Sequence, residues 1–513
     1  MRPTFLGFEA ARSGLVASQK ALDITGNNVA NIHTEGYTRQ RVDLVSMAFS
    51  GSANRYSTGT SLAGQGVYIA GVSQCRDPIL DARYREQSTY VGSLEIQSTA
   101  YTDMDKLFDD VISSGLQDAM TKLQKQLQSV TGNSDKAEVA NNVLTAAKNV
   151  VQLINSYNSK LDQLESRNKV GLGSCVNDVN SILQKIGALN SQIKDACLAN
   201  STTDPITGDR RILGPYGPNE LLDDRNLLLD QLSAYGEVDV KSENDGTVTV
   251  TFGGTVAVKD SRYETLNQVK DAAGKDILQW GTSMKTFSSD SGAITAYIDV
   301  ITGKGGYALA GENDYDGIAY YREILNSFTN TFATQFNAAN NVTLGGVNYG
   351  GDLFSTSDGT ANFTAGNIRI SNDWINNASF LLVSVPTSDT LDGNNALKMI
   401  DLFNQSFSFA SSTLKPDGTP TYTEFTGTFK GYLIHFQGKL GNQLSYTKGI
   451  KDSTSSVAMD LLDQRDQISA VSENEEAINM MKYQKSYNAA ARVITAMDEC
   501  LDVIINKMGR VGL

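Results

Sequence analysis

The chain has 513 residues, 40 % of them hydrophobic and 19 % charged, which is too long for one compact core and close to ordinary globular usage. Its 43 Lys and Arg against 57 Asp and Glu leave a net charge of -14, which argues against nucleic acid or an anionic membrane surface as partner, since both are held by basic patches. The first residues lack the continuous apolar core of a secretory signal, and no stretch approaches the ~20 apolar residues of a membrane span, so composition alone reads as cytoplasmic.

From Phe5 to Asn31 the pattern is helical: Leu15, Leu22 and Val29 recur every seven residues, with Ala11, Ser18 and Thr25 between them in the same register. Small residues at those positions let a second helix approach closely. The helix runs into Gly26-Asn27-Asn28-Val29-Ala30-Asn31, and then Thr34-Glu35-Gly36-Tyr37-Thr38-Arg39-Gln40 reads as a turn. Residues 32–75 are rich in Gly, Ser and Thr and read as an extended connector ending in a strand, Val67-Tyr68-Ile69, within Gly64-Gln65-Gly66-Val67-Tyr68-Ile69-Ala70-Gly71-Val72. Asp77-Pro78 has the form of a helix start, with Asp as cap and Pro at the first helical position, and predicts a helix to about Phe108. Ser113 and Ser114 open another, through Leu116, Met120, Leu123 and Leu127.

The strongest interior seams follow. Val143, Ala147, Val150, Ile154, Tyr157, Leu161 and Leu164 step by three and four, as do Leu172, Val176, Val179, Leu183, Ile186, Asn190, Ile193 and Cys197. Gly171 between them predicts two helices in an antiparallel hairpin, the unit of a helical bundle. Asn190 either fixes register or turns to the surface, and the surface is the favoured reading. A Gly- and Pro-rich loop then precedes a helix from Asn219 to Ala234. At Tyr235 the period changes to two: Val238 and Val240, the turn Asn244-Asp245-Gly246, alternating Thr247 to Phe252, a Gly253-Gly254 turn, and Val256 and Val258. Ile294 to Ile298 reads as a further strand, so residues 236–309 form a β-rich insertion. Helix returns from Asp316 to Ala339; Asn340 to Ser411 gives few firm signals beyond a short helix from Asn394 to Phe403; a long helix from about Thr426 reaches Ile468 despite Gly431, Gly438, Gly441 and Gly449.

The last helix carries a heptad seam, with Met480, Tyr483, Tyr487, Ala490, Ile494, Met497, Leu501, Ile504 and Met508 at alternating steps of three and four. Such a seam needs a partner helix, and the first helix offers a matching one. The two ends of the chain are therefore expected to pack together, although periodicity alone equally allows two ordinary helices of one globular core.

Catalytic patterns are scarce. With His33 and His435 as the chain's two histidines, a His-Glu-x-x-His zinc helix is impossible, and neither has a plausible metal partner nearby in sequence. Gly64-x-Gly66 lacks the third Gly of a dinucleotide loop, and Glu312 to Gly317 lacks the Glu that closes a calcium loop and reads as a capping turn. No cofactor, metal site or enzymatic activity is expected. Cys75, Cys175, Cys197 and Cys500 are far apart and read as free thiols, with Cys197 and Cys500 on or beside apolar seams as small hydrophobes.

Three of these stretches together resemble the bacterial flagellar axial family of rod, hook and hook-associated proteins: Asn27, Asn28, Ala30, Asn31, Gly36, Tyr37, Arg39 and Gln40 at the first turn, the Gly64 to Val72 segment, and Glu475-Glu476-Ala477 with Lys482 to Arg492. The Gly-Tyr-Thr-Arg-Gln form of the turn is most similar to that of the hook-associated members. The resemblance implies a fold that is mainly α with a β-rich insertion: terminal coiled-coil helices (1–45 with 473–513), an elongated helical bundle (46–235 with 310–472) and an outer β domain (236–309). It implies a structural subunit at the junction of hook and filament, polymerising through Leu15, Leu22, Val29, Met480, Tyr483, Tyr487, Ala490, Ile494, Met497, Leu501, Ile504 and Met508. The partners implied are copies of itself in a ring or tube, hook protein, the next hook-associated protein, the flagellar export machinery and an export chaperone at the C-terminal helix. The implied location is extracellular, on the flagellum, reached without a cleaved signal. A hook or distal-rod protein is the alternative within the family; a flagellum-displayed adhesin or enzyme acting through the β insertion is the alternative outside it.

Overall fold

The computed structural model describes residues 6–46, 66–113, 115–131, 137–199, 202–203, 210–211, 216–270, 276–344, 347–384, 394–410 and 422–503. In chain order these form α1 (Leu6–Ala30), β1 (Gln40–Ser46), β2 (Val67–Gln74), α2 (Pro78–Ser113), α3 (Leu116–Thr131), α4 (Ala137–Ala199), the short strands β3 (Thr202–Thr203) and β4 (Arg210–Arg211), and α5 (Asn219–Ser233). Then come β5 (Val238–Ser242), β6 (Val248–Phe252), β7 (Thr255–Lys259), β8 (Arg262–Tyr263), β9 (Leu266–Lys270), β10 (Asp276–Trp280), α6 (Ala293–Thr302) and α7 (Ile318–Asn340). The last part holds β11 (Val342–Leu344), β12 (Val347–Tyr349), β13 (Phe354–Thr356), β14 (Ile368–Ile370), α8 (Asn372–Asn376), α9 (Asn394–Asp401), β15 (Phe407–Ala410), β16 (Thr423–Gly427), α10 (Phe429–Ser469) and α11 (Glu473–Asp502). The fold is mainly α with a sheet-containing insertion, as the periodicity implied.

Contacts divide the chain into two compact units. One contains Met1–Ser88, Asp178–Ser289 and Ser455–Leu513; the other contains Thr89–Asn177 and Asp290–Thr454. In the first, β5 to β8 form an antiparallel four-stranded sheet in sequence order, and β9 pairs with β10 so that Leu266 lies opposite Trp280. Alternation along β6 buries Val248, Val250 and Phe252, and Trp280 packs edge-on to Phe252 with ring centroids 6.3 Å apart. Val179, Leu183, Ile186 and Ile193 of α4 are buried in the same unit. In the second unit one apolar cluster gathers Leu123 and Leu127 of α3, Val150 and Ile154 of α4, Tyr321, Phe328 and Phe332 of α7, and Tyr432 and Phe436 of α10. Phe108 meets Phe436 edge-on at 4.6 Å, and Phe409 stacks on Tyr432 at 4.1 Å.

Four local expectations are corrected. Gly171 does not turn the chain: α4 is one helix of 63 residues. Its inward positions keep stepping by four through Leu164, the half-buried Asn168, Leu172 and Val176, and a lone helical Gly costs only about 1 kcal/mol, too little to break the seam. A Cβ at Gly171 would lie 2.8 Å from the Tyr297 hydroxyl, so the Gly serves close approach rather than a bend. Ile294 to Ile298 is not a strand but part of α6, where Ala293, Ile294, Ala296, Val300 and Ile301 are buried at helical spacing and packing overrides β-propensity. Asn190 does not turn outward. It is buried, donating from Nδ2 to the carbonyls of Val248 and Asp260 (2.9 Å each) and accepting at Oδ1 from the amide of Val248 (3.2 Å) and from Arg225 (3.1 Å), so it ties α4 to the sheet. Cys500 is exposed rather than buried; Cys197 is buried, and all four cysteines are free thiols.

Candidate subunit interface

The first and last described helices pack antiparallel. A Cβ at Gly7 would stand 3.1 Å from Met497 Cε, the Ser18 hydroxyl donates to Ser486 Oγ at 3.1 Å, and Asn28 Nδ2 donates to Glu476 Oε2 at 3.2 Å. Each step along α1 between these pairs is matched by an equal step back along α11, so the register holds without slip. The residues of α1 that are fully buried are small or polar: Ala17, Ser18, Ala21, Thr25 and Asn28. Leu15, Leu22 and Val29 flank this stripe and are half-buried. On α11, Tyr483, Tyr487, Ala490, Ile494, Met497 and Leu501 are half-buried, Met480 is exposed, and Ile504 and Met508 lie outside the described residues. Among the described residues of α11, Glu476 alone is buried. The pair thus leaves its apolar seam partly open to water.

The turn residues form a latch at one end of the pair. Asn28 Oδ1 accepts from the Gln40 amide (3.0 Å) and the Tyr37 hydroxyl (2.9 Å), while its Nδ2 donates to the Gln40 carbonyl (2.9 Å) as well as to Glu476. Asn27 Nδ2 donates to the Tyr37 hydroxyl at 3.3 Å, and Asn31 Nδ2 donates back to the Asn27 carbonyl at 3.0 Å. Arg39 Nε donates to Glu476 Oε1 at 2.9 Å, its Nη1 lies 2.8 Å from Glu475, and its amide donates to the Ser469 carbonyl at 2.8 Å. Burial pulls the Arg39 guanidinium down, but the Glu476 and Glu475 carboxylates more than offset this and hold its pKa above the ordinary value. Burial, with Asp223, Glu220 and Glu476 nearby, pushes the Tyr37 hydroxyl up to about 12, so it remains a donor to Asn28. Gly36 takes φ = 79°, a left-handed conformation that favours Gly, and packs its backbone against Leu227. Ala30 is exposed, at the end of α1.

Behind the turn lies a second set of charges. Asp223 accepts from the Thr38 amide (3.1 Å) and from Gln74 Nε2 (2.8 Å), and burial raises its carboxyl to about 6. Asp230 accepts from Arg85 (2.7 Å) and Arg465 (2.6 Å), Arg76 pairs with Asp81 at 2.6 Å, and Arg465 lies over the Tyr84 ring at 4.5 Å. Of these, Arg76, Tyr84, Asp230 and Arg465 floor a groove of about 440 Å³ lined also by Glu35, Gly36, Tyr37, Thr38 and Asp466. Sequence reading gave no role to Asp223, Asp230 or Arg465. Glu475 and Glu476 in the first turn of α11 carry the ordinary signature of acids at a helix N-terminus, which does not say that one of them turns inward. His33 is exposed, and His435 stacks on Phe425 at 5.0 Å in the other unit. Among the described residues no group of three or more His, Cys, Asp or Glu side chains is placed to hold a metal, and no helix is long and apolar enough to cross a membrane.

Residues 101–354 match the flagellar hook-associated protein FlgK helical domain, residues 8–38 the flagella basal body rod protein family, and residues 464–507 the flagellar basal body rod FlgEFG protein C-terminal family. The chain is 29 % identical over 542 residues to flagellar hook-associated protein 1 of Bacillus subtilis, covering 99 % of both chains. It is 26 % identical to flagellar hook-associated protein 1 of Escherichia coli over 51 % of this chain and 45 % of that one. The fold is similar to that of the flagellar hook junction protein FlgK from Burkholderia pseudomallei, with a TM-score of 0.57 at 14 % identity over 76 % of this chain and 100 % of the other. Family models at both ends and across the helical region agree with a relative that spans the whole length: from end to end the chain is similar to the flagellar hook-associated protein 1 family.

Proposed function

We propose that this chain is a structural subunit that joins the flagellar hook to the filament and assembles through α1 and α11. The observation that carries the reading is the state of the terminal pair, in which α11 has one buried residue, a carboxylate, and a half-covered apolar seam. Completing that seam against neighbouring copies would contribute about 25 cal/mol per Å² of apolar surface removed from water, repeated at every copy. The residues proposed to form the joint are Leu15, Leu22 and Val29 with Met480, Tyr483, Tyr487, Ala490, Ile494, Met497, Leu501, Ile504 and Met508. In this reading the work is associative, with no catalytic step. The partners are further copies, hook protein and the next hook-associated protein, with an export chaperone on α11 before assembly, and the site of action is outside the cell. The three-part division into 1–45 with 473–513, 46–235 with 310–472, and 236–309 belongs to the same proposal.

The test is complementation of a strain whose own copy of the gene is deleted. The deletion is expected to leave hooks without filaments in electron micrographs. Leu501→Asp places a carboxylate in the seam, where an unpaired buried charge costs several kcal/mol, and is expected not to restore filaments. Glu499→Asp, on the exposed side of the same turn, is expected to restore them. Normal swimming by Leu501→Asp refutes the seam as the joint.

A further inference from the structure

The half-covered seam is not the whole of α11. On a face roughly a third of a turn away from the seam, Ile478, Met481 and Val493 are 61 %, 55 % and 48 % exposed. Lys482, Lys485 and Arg492 share that face at three- and seven-residue spacing and are exposed too. Among the described residues none of these bases has a carboxylate within ion-pair distance. In a chain of net charge -14, an apolar helix face bordered by three unpaired bases fits an acidic protein surface better than an apolar one.

The same unit carries a surface of the opposite kind. Arg76, Asp230 and Arg465 on the floor of the groove beside the turn are held in ion pairs, Arg76 with Asp81 and both Arg465 and Arg85 with Asp230, three guanidiniums to two carboxylates. Glu35 and Asp466, which also line it, are exposed and have no base within ion-pair distance among the described residues; Asp463, one turn back on α10, is exposed and unpaired likewise. A volume of about 440 Å³ walled by Tyr37 and Tyr84 with carboxylates at its mouth suits a long basic side chain, whose stem packs on the rings while its head meets the acids. Within one chain the two surfaces do not meet. The groove adjoins the turn latched to Glu476, and Lys482 to Arg492 lie about 9 to 24 Å further along α11 at 1.5 Å per residue.

We propose that the basic face of α11, Lys482, Lys485 and Arg492 with Ile478, Met481 and Val493, docks into the groove at Glu35, Tyr37 and Asp466 of a second copy of this chain. The inference rests on the reading that α1 and α11 are the assembling elements, and adds a second contact to the seam. It joins two different patches, so it is heterologous: each copy offers a groove to one neighbour and a basic face to another, which propagates into a ring or helical array instead of closing as a two-fold pair.

Charge exchange in the deletion strain tests it, with filament number per cell and the amount of secreted protein both measured. Lys482→Glu/Lys485→Glu/Arg492→Glu is expected to cut filament number at least tenfold while the secreted, purified protein keeps its parental thermal unfolding. Glu35→Lys/Asp466→Lys, altered at the groove alone, is expected to do the same. A chain carrying all five changes restores complementary charge between copies and is expected to recover filaments. Parental filament numbers in either reversal, or no recovery when they are combined, overturns the docking. If the reversals assemble normally while Leu501→Asp does not, the docking fails and the seam stands; if Leu501→Asp also assembles, both fall.

Discussion

Glu476 offers the most direct handle on the terminal pair. Replacing it with Ala removes the acceptor of Arg39 Nε at 2.9 Å and of Asn28 Nδ2 at 3.2 Å, leaving a buried amide and a partly buried guanidinium short of a partner. Losing one member of a buried ion pair costs about 3–5 kcal/mol. Here the loss is smaller, since the Arg39 side chain is 23 % exposed and keeps Glu475 at 2.8 Å, so about 2–3 kcal/mol is expected. At 1.4 kcal/mol per factor of ten, that is roughly 30- to 150-fold more frequent opening of the helix pair. Native-state hydrogen exchange on the purified protein reads this directly: amides of 476–484 and 24–31 should exchange faster by that factor, while those of α7 and of α4 in the other unit should not change. Glu476→Gln keeps an acceptor and should fall between parent and Ala. Glu475→Ala removes an exposed pairing and should cost under about 1 kcal/mol. Unchanged exchange at 476–484 in Glu476→Ala would show that the latch does not hold the pair.

Two further outcomes follow from buried polar groups. The Asp223 carboxyl is raised by burial to about 6 from an ordinary value near 4, so the folded state holds its proton more tightly than the unfolded chain does. Its contribution is fully present below about pH 4 and is lost as pH rises through 6; Asp223→Asn should flatten the fall in stability between pH 4 and 6, as read by denaturant unfolding at each pH, and an unaltered profile would refute the assignment. Asn190→Ala removes the partner of the Val248 and Asp260 backbone groups and one of the two acceptors of Arg225 Nη1, which keeps the Gly246 carbonyl at 2.9 Å, and should cost about 3 kcal/mol in chemical denaturation. Asn190→Leu, which refills the volume without the hydrogen bonds, should not recover it; recovery would mean that the site needs bulk alone.

Long periodic segments were readable because a helix that buries one stripe must repeat every three or four residues. The seam of α4 was visible from Val143 to Cys197, and the Asn244-Asp245-Gly246 turn announced the sheet, with φ = 84° at Gly246. The errors fell where a local rule met tertiary packing. Gly171 carries a helix-breaking tendency of about 1 kcal/mol, which the buried positions on either side outweigh. Ile294 to Ile298 has strand-like composition, but its burial pattern closes only with Ala293, Val300 and Ile301 included. β1 was missed inside the Gly- and Ser-rich connector, although Val42-Asp43-Leu44 alternates, because its pairing with β2 skips a position between Asp43 and Leu44. At the latch, the turn motif was plain and its partners were not. Glu476, Asp223 and Ser469 reach it from more than 180 residues away, and no spacing rule connects them.

The distance in sequence between Asn28 and Glu476, 448 residues, sets an order of events on the chain during its synthesis. Closing a flexible loop of that length costs several kcal/mol of entropy, which the polar latch and a half-covered seam repay poorly unless the intervening chain has already folded and brought the ends near. The middle carries its own apolar cores and has no such requirement. The terminal pair is therefore the last part to form, and a chain cut short anywhere before α11 leaves α1 with no helix to receive it. If the terminal pair is the joint proposed above, a truncated product can fold its middle and still present no joint, so unfinished copies would be excluded from the polymer by their own topology.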